Sequence, residues 1–395
     1  MLRDSRHQGK IDHSLVDLFR QRIYQICCGY EDANDCDALR SDPGFKTACE
    51  RAPETGEDLA SQPTMSRLEN MVSRTDTYRL AESLLDTFIS SYGGKHPFGI
   101  ILDLDDTDDT THGSQQLSLF NGFYNEHCYQ PLHVYEGRSG KLITSILRPG
   151  RRMKGREIVA VLKRLVGRIR KSWPGTGILV RADSHFGCPE VYAWCESNGV
   201  HYVIGQAGND RLKKLGEGVL SCARTHYGIS GRKAKRYTEV RYRADSWDQE
   251  RRVIVKAEAG PAGDNIRFVT TNLTTNRPAV IYEHMFCARG CCELFIKNHK
   301  TYLSSDRTSC HHFIANQFRL LLHSAAYVLL HSLTREGLKG TPWATAQFDT
   351  IQNRLLKIGA RVREMVTRIK FHFPTSFPLK NVLLRLHHYY SLASP

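Results

Sequence analysis

The sequence contains no uninterrupted apolar run of the roughly 20 residues that a membrane-spanning helix needs. Its first residues, MLRDSRHQGK, hold no apolar signal core. These two absences point to a cytoplasmic chain with no membrane partner. No C-x-x-C pair occurs among the 12 cysteines, which removes the commonest zinc and thioredoxin-like patterns. Cys287, Cys291, Cys292, Cys310, His311 and His312 cluster in the sequence, but read as small thiols and ordinary histidines rather than a zinc site. Several cysteines fall inside helical patterns, so reduced thiols rather than a disulfide framework are expected. The pair Ser184-His185 lacks a G-x-S-x-G elbow and ordered partners, which excludes a serine-hydrolase reading. Internal repeats and low-complexity tracts are also missing.

Acidic residues are the scarcer charge, 41 against 55 Lys and Arg, giving a formal charge of +14. From Arg148 to Lys171 ten residues are basic and one is acidic, and from Ile351 to the end eight are basic and one is acidic. One such block reads equally well as a solvated helix face. Two of them, in a chain this basic, favour a polyanionic partner. Neither has the clean apolar face ending in Trp or Phe that membrane-surface binding needs.

Residues 1–95 read as a helical region: SLVDLFRQRIYQICCGY has helical spacing after an N-cap at Ser14, and TMSRLENMVSRTDTYRLAESLLDTFISSYGG ends at Gly93-Gly94. From residue 96 to 207 the order is strand, strand, strand, helix, strand, helix, strand, which predicts a mixed α/β sheet. Residues 208–275 alternate like antiparallel strands in KRYTEVRYRADSW, RRVIVKAEA and IRFVTTNL, and read as a β-rich insertion. Residues 276–335 return to helix, and 336–395 form a basic C-terminal region.

Against the basic background stands ILDLDDTDDTTHG, with five aspartates between Asp103 and Asp109. Asp103 and Asp105 alternate with Leu102 and Leu104, so on a strand both carboxylates share a face. Asp183 ends a second apolar strand, and ligands of open α/β sheets gather at strand carboxyl ends. A helical projection of FCARGCCELFIKNHK puts Arg289, Glu293, Lys297 and Lys300 on one face, an arrangement that surface ion pairing also produces. In-line cutting of a phosphodiester uses metal ions to activate the nucleophile and stabilise the leaving oxygen. Carboxylates supply the oxygen ligands, and neighbouring Lys and Arg hold phosphates. The competing enzyme reading is a haloacid-dehalogenase-like phosphatase with Asp103 and Asp105 in a D-x-D-x-T loop. It leaves the basic charge without a use. A DNA-binding protein without catalysis, or a decayed enzyme, explains the charge but not the placed acids.

The spacing Phe286, Arg289, Glu293, Lys300 resembles the Y-R-E-K signature of DDE transposases of bacterial insertion sequences. With LDLDDTDDTTHG, RADSHFG, CGYEDANDCDALRSDPGF, LASQPTMSRLEN, LRPG, RRVIVKAE, RFVTTNL and LKIGARV, the chain resembles insertion-sequence family thirteen-eighty over nearly its whole length. The resemblance implies a ribonuclease H-like core with an insertion between the second Asp and the Glu. It implies Asp105, Asp183 and Glu293 as catalytic metal ligands for Mg²⁺, with Mn²⁺ as substitute, and Asp103 as the alternative first ligand. Arg289, Lys297, Lys300 and Phe286 would face DNA, and Trp247 would stack on a flipped base, although a Trp between strands also reads as core. The expected activity is cleavage and strand transfer on double-stranded DNA, at terminal inverted repeats and target, by a homodimer at the nucleoid. Phe286 stands where the signature has Tyr, and the resemblance implies some tens of residues ahead of Met1 that would belong to an N-terminal DNA-binding region.

Overall fold

The computed structural model of the chain describes residue 4 and residues 6–393. The N-terminal part is helical: α1 (Leu15–Cys27), α2 (Asp35–Leu39), α3 (Pro43–Ala48), α4 (Gln62–Met71) and α5 (Arg74–Ser90). Ser14 caps α1 as expected. Its side chain accepts the Asp17 N–H and the Asp17 carboxylate accepts the Ser14 N–H, a reciprocal capping box. The long helical stretch of the sequence is two helices, because Val72 is extended and Ser73 starts α5 with a second capping box to Asp76.

The sheet region follows, with β1 (Gly99–Asp106), β2 (Asp109–Thr110), β3 (Leu119–Asn121), β4 (Glu126–Tyr129), β5 (Leu132–Glu136) and β6 (Leu142–Ile146). Then come α6 (Gly155–Ser172), β7 (Gly177–Ala182), α7 (Pro189–Ser197), β8 (His201–Gln206), α8 (Asp210–Ser230), β9 (Ala234–Tyr242), β10 (Arg251–Gly260) and β11 (Gly263–Thr271). Eight strands form one sheet in the order β6-β5-β1-β7-β8-β11-β10-β9, and β2, β4 and β3 form a separate small sheet. β1 is antiparallel to β5 and parallel to β7, and β7 is parallel to β8.

The strands of residues 208–275 do not stand as a separate β unit. β11 pairs antiparallel with β8, so all three extend the main sheet. They are preceded by α8, a 21-residue helix that the strand-like reading of this region passed over. Three internal glycines weaken its helical pattern. At Gly216 the helix lies close on the sheet, and a Cβ there would press on the tip of the Ile266 side chain of β11.

Residues 280–302 are helical throughout but irregular. A π-turn (Val280–Phe286), a 3-10 turn (Cys287–Gly290), α9 (Cys291–Lys297) and a second π-turn (Asn298–Tyr302) follow one another. The chain ends with α10 (Phe313–Ser332), α11 (Phe348–Ile351), the hairpin β12 (Arg361–Met365) and β13 (Arg368–His372), and α12 (Lys380–Ala393).

Two cores flank the sheet. Leu102, Leu104, Leu162, Trp173, Val180 and Tyr202 pack on one face with α5, α6 and α7. On the other, Tyr135, Leu142 and Phe295 meet Leu18, Phe318 and Tyr327 of α1 and α10. The segment Phe313–Gly337 is long and apolar enough to cross a membrane by length and composition, and 67% of its apolar window is buried inside the molecule. Here it serves as the central core helix.

His331, on α10, is 6% exposed, stacks on Tyr327 and lies 2.9 Å from the Ser139 carbonyl. Burial holds its pKa down at about 4. Between pH 4 and 6.5 the unfolded chain therefore binds a proton at this site that the folded chain refuses, and stability falls as pH falls. The expected cost from His331 is about 2 kcal/mol at pH 5. Urea unfolding at pH 7 and pH 5 should show a shallower loss for His331→Gln than for the native chain; equal slopes would contradict this assignment.

Candidate active site

The parallel register of β1 and β7 sets Asp103 opposite Arg181 and Leu104 opposite Ala182. The next step brings Asp105 and Asp183 to adjacent strand ends. Leucines fill the alternate positions of β1, so Asp103 and Asp105 face the side covered by residues 287–302.

Asp103 is fully buried. Arg181 grips it with two hydrogen bonds of 2.6 Å, Nε to Oδ1 and Nη2 to Oδ2, while Nη1 donates to the Met285 carbonyl at 2.9 Å. Both carboxylate oxygens of Asp103, the alternative first ligand, are thus engaged by Arg181. A Cβ on Gly137 would collide with this pair, so the glycine makes room for it.

Asp105 keeps 12% of its side chain exposed and accepts from Arg289 Nη1 at 2.8 Å. Burial raises its pKa to about 6; Arg289 pulls it down and the nearby Asp183 pushes it up. Asp183 is half-buried and accepts the His185 N–H at 2.9 Å, capping the turn Ser184–Phe186. Arg289 feels both carboxylates, and Asp105 is the strongest influence raising its pKa. The guanidinium is therefore the counter-ion of the acid pair.

Glu293 is not joined to them. It is exposed, and among the described residues it has no hydrogen-bond or ion-pair partner. The buried neighbour from α9 is Cys292, whose thiol is raised far above its usual range by burial and by Asp105 and Asp103. The regular helical projection fails here because the 3-10 and π-turns shift the phase on both sides of α9. Among the described residues no three His, Cys, Asp or Glu side chains form a group that could hold a metal ion.

Lys297 is exposed, 5.4 Å from the centre of the Tyr302 ring. Lys300 turns inward. Its ammonium donates to the Asp108 carbonyl, lies 3.1 Å from Asp108 Oδ2 and 3.4 Å from Thr107 Oγ1. Buried Asp109, whose pKa burial raises well above normal, also feels this charge. Lys300 thus ties down the segment that follows Asp105.

Phe286 is half-buried, its ring centre 5.6 Å from that of Tyr282. Trp247 is 5% exposed, set edge-on to Tyr192 and Tyr242, with the Arg251 guanidinium 5.4 Å above it. It packs in the hydrophobic core rather than on an open surface.

The sequence reading missed several neighbours of the acids. Arg152 donates to the Ser184 carbonyl at 2.9 Å and to the His185 carbonyl at 2.7 Å, holding the turn after Asp183. His185 Nδ1 lies 3.5 Å from Asp106, which raises the imidazole pKa, and Arg148 lies 3.6 Å from Asp106 on another side. Arg148 and Arg152 were visible only as members of a basic block.

The chain matches the protein family described as Transposase DDE domain group 1 over residues 1–394, and it belongs to that family. Comparison with curated proteins gives no match. Among solved structures it is similar to a piggyBac transposase synaptic complex with hairpin DNA, determined by cryo-EM. That likeness covers 88% of this chain and 73% of the other, at 10% sequence identity and a TM-score of 0.47.

Proposed function

We propose that this DDE transposase cuts DNA at Asp105 and Asp183 with Mg²⁺, or Mn²⁺ in its place, and joins the freed 3′ ends to target DNA. The observation that carries the reading is the pair of carboxylates at the ends of adjacent parallel strands, bordered by Arg289 and Arg152. The donors suit a hard cation: Mg²⁺ takes oxygen ligands and binds through one or two carboxylates with water and phosphate completing its shell. When bound, the metal would activate water and stabilise the leaving oxygen. Asp105 and Asp183 would hold it. Arg289 would then release Asp105 and turn its charge to a phosphate oxygen.

Glu293 is proposed as the third acid, brought in when α9 shifts on DNA. The exposed Arg151, Arg152 and Lys154 would hold the backbone near the cut. The hairpin β12–β13, with Arg361, Arg363, Arg368 and Lys370 exposed, would hold it farther away. The five strands β6-β5-β1-β7-β8, antiparallel on one side of β1 and parallel on the other, favour a ribonuclease H-like core. The motif set favours insertion-sequence family thirteen-eighty and a bacterial element with terminal inverted repeats. Two copies would hold two ends.

Glu293→Gln separates the roles. With labelled DNA from the flanks of the coding sequence, loss of Mg²⁺-dependent nicking with binding retained supports a third acid. Nicking at the native rate would limit the centre to the two aspartates.

A further inference from the structure

Asp103 and Asp105 of β1 are each paired with an arginine, and the two pairs are built differently. Asp103 and Arg181 are buried, and the guanidinium donates twice to the carboxylate and once more to the Met285 carbonyl. Arg289 and Asp105 keep 15% and 12% of their side chains exposed, and one bond of 2.8 Å, from Nη1 to Oδ2, joins them. Among the described residues the Arg289 guanidinium makes no other hydrogen bond. The first pair is fixed; the second is free to part.

The backbone under Arg289 is also lightly held. It is the 3-10 turn Cys287–Gly290, set between a π-turn and α9. Cys287, Gly290 and Cys291 are exposed, and a Cβ on Gly290 would meet nothing within 4 Å. A 3-10 turn within a helical run has poorer hydrogen-bond geometry than an α-helix and often marks a hinge.

Charge gives this pair its consequence. Asp105 Oδ1 and Asp183 Oδ2 accept no hydrogen bond among the described residues, so each acid keeps one open oxygen. Arg289 is the one basic side chain ion-paired with either of them among those residues. A divalent ion entering there would meet a resident cation and acids already partly neutralised. Mg²⁺ gives up its water reluctantly, and the charge of the ligand set governs how tightly a cation site binds. A guanidinium is instead well matched to phosphate, which accepts its N–H groups in pairs.

We propose that Arg289 is an internal counter-cation that keeps metal off Asp105 and Asp183 until a DNA phosphate draws it away. The proposal rests on the DNA-cutting reading above and adds that the DNA-free chain holds metal weakly. By linkage, metal then tightens DNA binding by the same factor as DNA tightens metal binding.

Mn²⁺ binding to the DNA-free chain, read from the electron paramagnetic resonance of the free ion, tests this without any cutting. Arg289→Met should bind Mn²⁺ about tenfold or more tightly than the native chain, a gain that a damaged fold does not give. Asp183→Asn in the same background should remove the gain. On the native chain, flanking duplex should tighten Mn²⁺ binding by a similar factor beyond what it gives Asp183→Asn. This second measurement leaves Arg289 in place, so it decides the case if Arg289→Met does not fold. Equal Mn²⁺ affinity in the native chain and folded Arg289→Met, a gain that survives Asp183→Asn, or no tightening by duplex would overturn the proposal. Tight Mn²⁺ binding by Arg289→Met that Asp183→Asn removes, with no nicking by the native chain in either metal, would sink the DNA-cutting reading and leave the counter-cation standing.

Discussion

Asp183→Asn is expected to lower metal-dependent nicking by about a thousandfold or more, since metal stabilisation of the transition-state charge is worth several kcal/mol. Folding and DNA binding should change little. Asn has the same shape, and its side-chain oxygen still accepts the His185 N–H that Asp183 accepts at 2.9 Å, so the turn after β7 keeps its cap. Only the charge is removed. Asp105→Asn should abolish nicking as well, but it also weakens the partner of Arg289, which approaches to 2.8 Å. Some stability is then lost with the activity, so Asp183 is the cleaner probe. The measurement is single-turnover nicking beside a binding curve. A variant that still nicks at a tenth of the native rate would place the chemistry elsewhere.

The second large effect is on folding. Asp103 and Arg181 are 0% and 2% exposed and held to each other by two hydrogen bonds of 2.6 Å. Replacing Asp103 by Ala leaves a buried guanidinium without its partner, and such losses cost about 3–5 kcal/mol. Arg181→Met should cost a similar amount by stranding the carboxylate. The double variant Asp103→Ala with Arg181→Met removes both charges together and is expected to be more stable than either single variant. Urea unfolding of the four proteins gives the cycle; additive losses would mean that the pair does not act as a unit. Because β1 carries Asp103 two residues before Asp105, its disruption should also reduce nicking, through the position of the strand.

The strands that carry the acids were legible in the sequence because an apolar run ending in Asp is a strong local pattern. Ser14 and the helix α1 were legible for the same reason, as cap and periodicity agree. What failed was non-local. Nothing in LDLDD separates Asp103 from Asp105; only the register with β7 shows that Arg181 claims the first and leaves the second. The face of residues 287–302 was misjudged because a uniform 100° step does not survive two π-turns and a 3-10 turn. Lys300 and Arg289 point toward the strand as projected, while Glu293 does not. Trp247 read more readily as core than as a stacking residue, and its ring packs edge-on against those of Tyr192 and Tyr242.

The most direct test of the account is single-turnover nicking of labelled flanking duplex by the native chain, with Mg²⁺, with Mn²⁺ and with chelator. Nicking at one position in either metal, absent with chelator and absent in Asp183→Asn, is the predicted result. Native protein that binds the duplex but leaves it intact in both metals would contradict the claim that Asp105 and Asp183 form a working DNA-cutting centre.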